Sequence, residues 1–486
     1  MATETATPAE AVPPRAAAGR PPRRTQNPFR RVGGDLASEW QARGKFPPGD
    51  LDLSISRTHK IATDPLPVLL SAYERFGPVF TLRLLHSRVV FMLGPEANHF
   101  VLVSGADNFH WREGSFGDLI PLLGDGLLTI DDGYHDKARG TMMPAFHRDQ
   151  VSAAVEAMAA EAGPLIETLR PGAVVDIYEW MRGLAMRIAM RALLGLDPDE
   201  AGKGAAAAEH FERALEFYGI EFAARFLRGP GSPWRKMIAS RKVLDEIVFG
   251  EIAERRRSPE SGRRDVLSLL LEVRDDAGEG FTDREVRDQV MTLMFAGHDT
   301  STSTLTFMMY ELARRPDVVA KLVAEQEEVL GGEVPDIDKL EREMPYLEMV
   351  LDEVLRLYPP AWIGPRRVIR DFEFGGYGVP KGAYFAYCSW ASHRIPEFFP
   401  DPEAFIPERF TREGKAALPR GAYVPFGGGR RICIGKRFGQ TEVKLVATML
   451  LQRLRLDVLP GRTMSVRQMP TLSPKGGLPM RVLPRL

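Results

Sequence analysis

Cysteine is almost missing: the 486 residues hold two, Cys388 and Cys433. That excludes a disulfide framework and fits a reducing compartment, so the chain is expected to be cytoplasmic. No apolar run reaches the ~20 residues a membrane span needs. The opening MATETATPAEAVPPRAAAGRPPRRTQNPFRR has no apolar core either, so it is not a signal peptide. Net charge is missing as well. The 64 Lys and Arg nearly cancel 65 Asp and Glu, and no global field points to nucleic acid. Repeats are absent, and no linker interrupts 40–486. With 44% hydrophobic residues, the chain can bury a large core and still enclose a cavity. One domain over 35–486 is expected, preceded by a disordered or loosely docked tail, 1–34.

Helical spacing dominates what is present. The segments VFTLRLL (79–85) and RVVFMLG (88–94) read as a hairpin around His86-Ser87. Apolar residues then recur at helical spacing through 150–170, 175–195, 205–227 and 234–257. The stripe Phe211, Leu215, Tyr218, Phe222, Phe226 is either core or the wall of a lipophilic pocket. FTDREVRDQVMTLMFAGHDTSTSTLTFMMYELARRP opens with a capping box, Thr282 with Glu285, and stops at Pro316. A helix over 283–315 would be about 50 Å long at ~1.5 Å per residue. Its middle, AGHDTSTST (296–304), is poor helix material, which predicts a local distortion. Helices follow at 317–332, 345–358 and 436–454. Strands and turns are expected over 372–388, and a Pro-rich aromatic coil over 389–410. The fold class is mainly α with small β-sheets.

Residues 425–435, PFGGGRRICIG, fit neither helix nor strand. Cys433 has no Cys or His at zinc spacing. It is an inert cysteine, a nucleophile with a base such as His393, or a single thiolate ligand. Gly and Arg neighbours disfavour the inert reading. Arg430, Arg431, Lys436, Arg437 and the helix starting after Gly435 should lower its thiol pKa. A lone thiolate on haem iron is the main precedent for the third reading.

The loop resembles the haem-binding signature of the cytochrome P-450 family, F-x-x-G-x-R-x-C-x-G, at Phe426, Gly429, Arg431, Cys433 and Gly435. The resemblance implies that Cys433 ligates iron, that Phe426 shields the sulfur, and that Gly429 turns tightly. It also implies that Gly435 turns its N–H to the sulfur and that Arg431 pairs with a haem propionate. Three further motifs agree. Ala296-Gly297-His298-Asp299-Thr300-Ser301 resembles the oxygen-activation motif. There Ala296 would lie against haem, Asp299 would relay protons, and Thr300 would hydrogen-bond dioxygen or a water. Glu353 and Arg356 match E-x-x-R, and with Arg409 in Phe405–Phe410 imply a structural triad. GDGLLTIDDGYHDKARGTMMPAF places His135 and Arg139 where the family carries W-x-x-x-R; both are expected at a propionate. A further propionate partner is Arg366 or Arg367.

The family likeness implies a P-450 fold with haem b held between a long central helix and the cysteine loop. It implies a monooxygenase that puts one atom of O2 into a lipophilic molecule by hydroxylation or epoxidation. Its electrons would come ultimately from NAD(P)H through a separate ferredoxin or flavodoxin. A haem-thiolate isomerase or dehydratase, or a haem-based gas binder, is the alternative. Lys137, Arg430, Lys436, Arg437 and Lys444 are expected to gather into a basic docking patch for the redox partner. Phe116, Phe295, Ile363 and Leu472 are expected in the substrate pocket.

Overall fold

The computed structural model describes residues 27–485 apart from 43–45, 200–201, 221, 259–261 and 276. Most of the tail read over 1–34 therefore lies outside the described residues. Its last part begins a helix, Pro28–Gln41. That helix docks through polar side chains: Ser38 donates to the Gly382 carbonyl (3.1 Å), and Glu39 accepts from the Arg88 N–H (3.1 Å).

Helices form the bulk, as the periodicity predicted. They span Arg148–Thr168, Ile177–Ala189, Lys203–Gly219 and Pro233–Arg257. The Val79–Leu84 and Ser87–Met92 strands do form the expected hairpin. Its turn is Leu85-His86, where Leu85 takes a left-handed φ of 49°, so the register sits one residue earlier than predicted. The hairpin belongs to a six-stranded mixed sheet. Its order is Gly49–Asp50, Val79–Leu84, Ser87–Met92, Tyr384–Cys388, Ile363–Val368, Phe109–His110. A second sheet joins Leu454–Val458, Pro479–Pro484 and Val174–Asp176, all antiparallel.

The long helix is Asp283–Ala313, or ~46 Å at ~1.5 Å per residue. Its N-terminal cap is as predicted: the Glu285 N–H donates to Thr282 Oγ1 (3.3 Å), and the Thr282 N–H donates back to Glu285 Oε2 (2.9 Å). The predicted distortion of 296–304 is not found; the segment is unbroken α-helix. Its hydroxyls are accommodated within it: Thr300, Thr302, Thr304 and Thr306 each donate to the carbonyl four residues back, at 2.6–2.9 Å. That satisfies buried hydroxyls without opening the helix.

The helix also links two apolar clusters. Val286, Val290, Met291, Leu293 and Met294 belong to one, with Phe211, Leu215 and Tyr218. Leu305, Phe307, Met308, Met309 and Leu312 belong to the other, with the Pro345–Leu357 and Lys436–Leu451 helices. The polar middle lies between the two. Phe211, Leu215 and Tyr218 are thus core residues. The side chain of Phe222 lies outside the described residues.

Candidate active site

Cys433 sits at the end of a tight loop. Its N–H donates to the Phe426 carbonyl (2.9 Å), which fixes Phe426 beside it. Gly429 has a φ of 59°, and a Cβ there would stand 2.3 Å from the Leu102 carbonyl oxygen. No side chain fits that turn. Gly435 is different: its φ is −86° and nothing crowds it. Its N–H acts on the Cys433 sulfur in favour of the thiolate. The Cys433 side chain stays accessible.

The predicted low thiol pKa is corrected. Burial pushes the Cys433 thiol up, opposed by the Gly435 N–H, Arg139 and Lys436. Three of the cations expected to lower it are engaged elsewhere. Arg430 pairs with Asp107, Arg431 with Asp131 (2.6 Å) and Arg437 with Glu341 (2.9 Å). The same pairings undo most of the predicted docking patch. Lys137 is held by Asp275 and Glu279, and Lys444 is buried against Glu348 (2.8 Å). Lys444 therefore belongs to no surface patch. Lys436 stays exposed, its ammonium 5.4 Å from the Phe426 ring.

A cleft walled by arginines and aspartates adjoins the loop, lined among others by Trp111, Asp131, His135, Arg366, Gly428 and Arg431. His135 and Arg139 are one turn apart on the helix Asp132–Met142, so both face one way. His135 Nδ1 lies 3.2 Å from Asp136 Oδ1. Cys433 is the charge that Arg139 feels. Strand alternation separates Arg366 from Arg367. Arg366 is buried in the cleft, its guanidinium 3.7 Å from the Trp111 ring, and Arg367 points away to Asp35 (3.2 Å). Arg366 and Arg431 are each pushed down to about 10. Burial is the main cause; Arg431 adds to it for Arg366, and Arg139 for Arg431. Asp131 organises the group by accepting the Trp111 and Arg112 N–H groups (2.9 Å each) as well as Arg431. Trp111 and Asp131 were not singled out in the sequence, because neither occupies a defining position of a motif.

On the long helix, Phe295, Ala296, Gly297 and Thr300 are only part-buried within a helix otherwise mostly enclosed. Ser301 Oγ donates to Glu442 Oε2 (2.7 Å). This ties the motif to the helix that follows Cys433. Burial pushes the Glu442 carboxyl up to about 7, opposed by the Ser301 hydrogen bond and by His298. Asp299 is buried, 3.2 Å from His298 Nδ1 and 3.8 Å from Arg182 Nη1. Of the four residues expected in the pocket, Phe295 meets Tyr218 edge-on (6.2 Å). Phe116 stacks on Trp111 (4.7 Å), and Ile363 starts its strand part-buried. Leu472 is wholly buried in the large core and presents no surface to a pocket.

The Glu353–Arg356–Arg409 cluster stands as expected. Arg356 binds both oxygens of Glu353 (2.7 and 2.8 Å) with neither side chain exposed. It also donates to the carbonyls of His393, Pro402 and Ala404. Arg409 Nε lies 3.5 Å from Glu353 Oε1. His393 Nε2 accepts the Val424 N–H (2.9 Å), two residues before Phe426. His393 is thus a support for the loop and not a base for Cys433.

The family model for cytochrome P450 matches residues 58–479. This chain is a cytochrome P450. Cyclooctat-9-en-7-ol 5-monooxygenase of Streptomyces melanosporofaciens is 35% identical over 427 residues, covering 86% of this chain and 90% of that one. Cyclooctatin synthase of the same organism is 33% identical over 448 residues, covering 90% and 94%. Cyanobacterial CYP120A1, solved with retinoic acid bound, has a TM-score of 0.80 at 30% identity, covering 90% and 99%. The enzyme is a P450 monooxygenase with the mainly helical fold of that family. Haem is the cofactor the family implies, and the residues present fit it. Cys433 offers a soft sulfur donor, and among the described residues no cluster of His, Cys, Asp or Glu offers a rival metal site. Arg366, buried with no carboxylate in salt-bridge reach among the described residues, suits a propionate. No helix among the described residues is long and apolar enough to cross a membrane.

Proposed function

We propose that this P450 inserts one atom of dioxygen into a hydrocarbon-rich small molecule, by hydroxylation or epoxidation, with electrons from a separate ferredoxin or flavodoxin. The observation that carries it is the acid–alcohol pair Asp299-Thr300, set in the middle of a helix that the Cys433 helix grips through Ser301 and Glu442. Haem b bound at Cys433 would supply the oxygen activation. Arg139, Arg366, Arg431 and His135 would hold its propionates, and Phe426 would cover the sulfur. Thr300 Oγ1 now donates to the Ala296 carbonyl (2.8 Å). Its hydroxyl retains lone pairs to accept one proton while it donates another. Asp299, buried one residue away, would hand protons inward.

The relatives suggest the substrate class. One is named for cyclooctat-9-en-7-ol and another was solved with retinoic acid, both hydrocarbon-rich molecules. Part-buried Phe295 and Ala296 would supply an apolar wall for such a molecule. The test is the absorption spectrum of the reduced, carbon-monoxide-bound protein, followed by turnover of a lipophile library with a surrogate ferredoxin system. A strongly red-shifted Soret band that Cys433→Ala abolishes, with oxygenated product, is the expected result. In Thr300→Ala, product per NAD(P)H should fall by ~10-fold or more, within the range of a positioned proton donor. Unchanged coupling in that variant would refute the role given to Thr300.

A further inference from the structure

We propose that His298 is a positioning residue. As an imidazolium it ties Asp299 of the long helix to Glu212 of the helix Lys203–Gly219, so that the acid is held in place while that helix is closed down. The proposal rests on the reading of Asp299 as the acid of the monooxygenase.

Four charged groups form a square. His298 is wholly buried, with Nε2 3.3 Å from Glu212 Oε1 and Nδ1 3.2 Å from Asp299 Oδ1. Nε2 also lies 3.2 Å from the Arg182 carbonyl oxygen. Arg182, on the helix Ile177–Ala189, is the second cation. It donates to both Glu212 oxygens (2.9 and 3.1 Å from Nε) and comes within 3.8 Å of Asp299. Two carboxylates therefore face two cations, and each cation touches both carboxylates. The remaining neighbours are the Phe211 ring, edge-on to His298 at 6.3 Å, and the buried Glu442 of the Lys436–Leu451 helix, which feels the charge of His298.

Only one corner of the square can lose its charge near neutral pH. Arg182 stays protonated. Burial alone would lower His298, but Asp299 and Glu212 overcome it and raise the ring to about 9. The same pairing brings Glu212 down to about 2, with His298 and then Arg182 outweighing its burial. Below pH 9 the square is balanced. Above it, two carboxylates share one cation inside the fold. Loss of the His298 charge cuts the tie between the long helix and the helix Lys203–Gly219, and leaves Arg182, hydrogen-bonded to Glu212, to serve both carboxylates. Glu212 is 33% exposed, against 6% for Asp299, so the Glu212 side is the one that loosens toward water.

The test follows His298 and that helix directly, in the haem-loaded enzyme. The histidines are labelled with 13C at Cε1, and the His298 resonance is assigned by its loss in His298→Gln. It should titrate above pH 8. Glu212→Gln should lower the midpoint by at least one pH unit, a tenfold loss of imidazolium stability. By reciprocity Asp299→Asn should lower it too. Hydrogen-exchange protection of the Lys203–Gly219 amides should fall through the same pH window in the wild type. In Glu212→Gln it should already be low at pH 7. A ring still neutral at pH 6, a midpoint that neither substitution moves, or protection that stays flat from pH 7 to 10 would overturn the proposal. None of these readouts needs turnover. Failure of the monooxygenase reading shows in the product assay, and failure of this tie shows here.

Discussion

Replacing Arg356 with methionine should be among the most damaging single changes in the molecule. The guanidinium is wholly enclosed and serves five acceptors: both oxygens of Glu353 and the carbonyls of His393, Pro402 and Ala404. Without it a buried carboxylate keeps only the Ile406 N–H (2.8 Å) and the distant Arg409. Breaking a buried ion pair from one side costs ~3–5 kcal/mol, because the partner's charge stays buried. Glu353→Gln should cost less. It leaves Arg356 its three carbonyls, and the amide oxygen can still accept from Ile406. The double variant should cost less than the sum of the two by up to ~3 kcal/mol. Calorimetry reads this. With 486 residues and ~2.1 cal/mol/K per residue, unfolding entropy is ~1 kcal/mol/K, so ~4 kcal/mol lowers Tm by ~4 °C. The three carbonyls all belong to the coil that leads to the Val424 turn. The thiolate-specific Soret band of the reduced carbon-monoxide complex should therefore weaken as well. A loss below ~1 kcal/mol for Arg356→Met, or additivity within ~0.5 kcal/mol, would refute the reasoning.

Three other outcomes follow from the same geometry. His393 is pushed down to about 3 by burial and then by Arg356. The unfolded chain therefore binds a proton that the fold refuses between pH 6.5 and 3, and stability is lost as pH falls through that window. His393→Gln, whose amide oxygen can still accept from Val424, should flatten that loss in urea midpoints measured against pH. Glu442, pushed up to about 7, has the opposite slope. The fold keeps a proton that the unfolded chain gives up above pH 4.5, so stability falls as pH rises from 4.5 to 7, and Glu442→Gln should remove the fall. Gly429→Ala puts a Cβ against the Leu102 carbonyl at a left-handed φ, costing ~1–2 kcal/mol before the clash is counted. Tm should drop, and haem bound per chain should drop with it.

The site was legible in the sequence where chemistry is local in the chain. The Cys433 loop needs Phe426, Gly429 and Gly435 at fixed offsets, and the Thr282 cap needs Glu285 three residues on. What was illegible depends on partners far apart. His298 meets Glu212 across 86 residues, and Val174 pairs with Arg481 in a sheet whose strands are too short to show a period. No strand was read over Ile363–Val368, because a glycine, a proline and two arginines mask its alternation. Side-chain direction was the other loss. Lys444 reads as surface charge, yet it faces inward because Glu348 and the Leu340 carbonyl wait there. The predicted low pKa of Cys433 failed because burial outweighs the cations, three of which are already paired in space.

The unbroken long helix is the most instructive error, because magnitudes decide it. Gly297 costs about 1 kcal/mol relative to alanine, and the seven residues His298–Thr304 about 0.5 each, so the middle opposes helix by roughly 4–5 kcal/mol. Ten apolar side chains at the two ends are buried, five in each cluster. At ~1.5–3 kcal/mol each, they favour the helix by roughly 15–30 kcal/mol. The ends win, and they hold the middle helical whatever it is made of. The middle is thereby released from any duty to stabilise the element. Its glycine and polar side chains are instead explained by what surrounds them: Ala296 and Gly297 remain accessible, Ser301 grips Glu442, and His298 and Asp299 meet the charges of two neighbouring helices. A stretch that local propensity counts as weak, clamped between two cores, is where this fold can place groups for their chemistry alone.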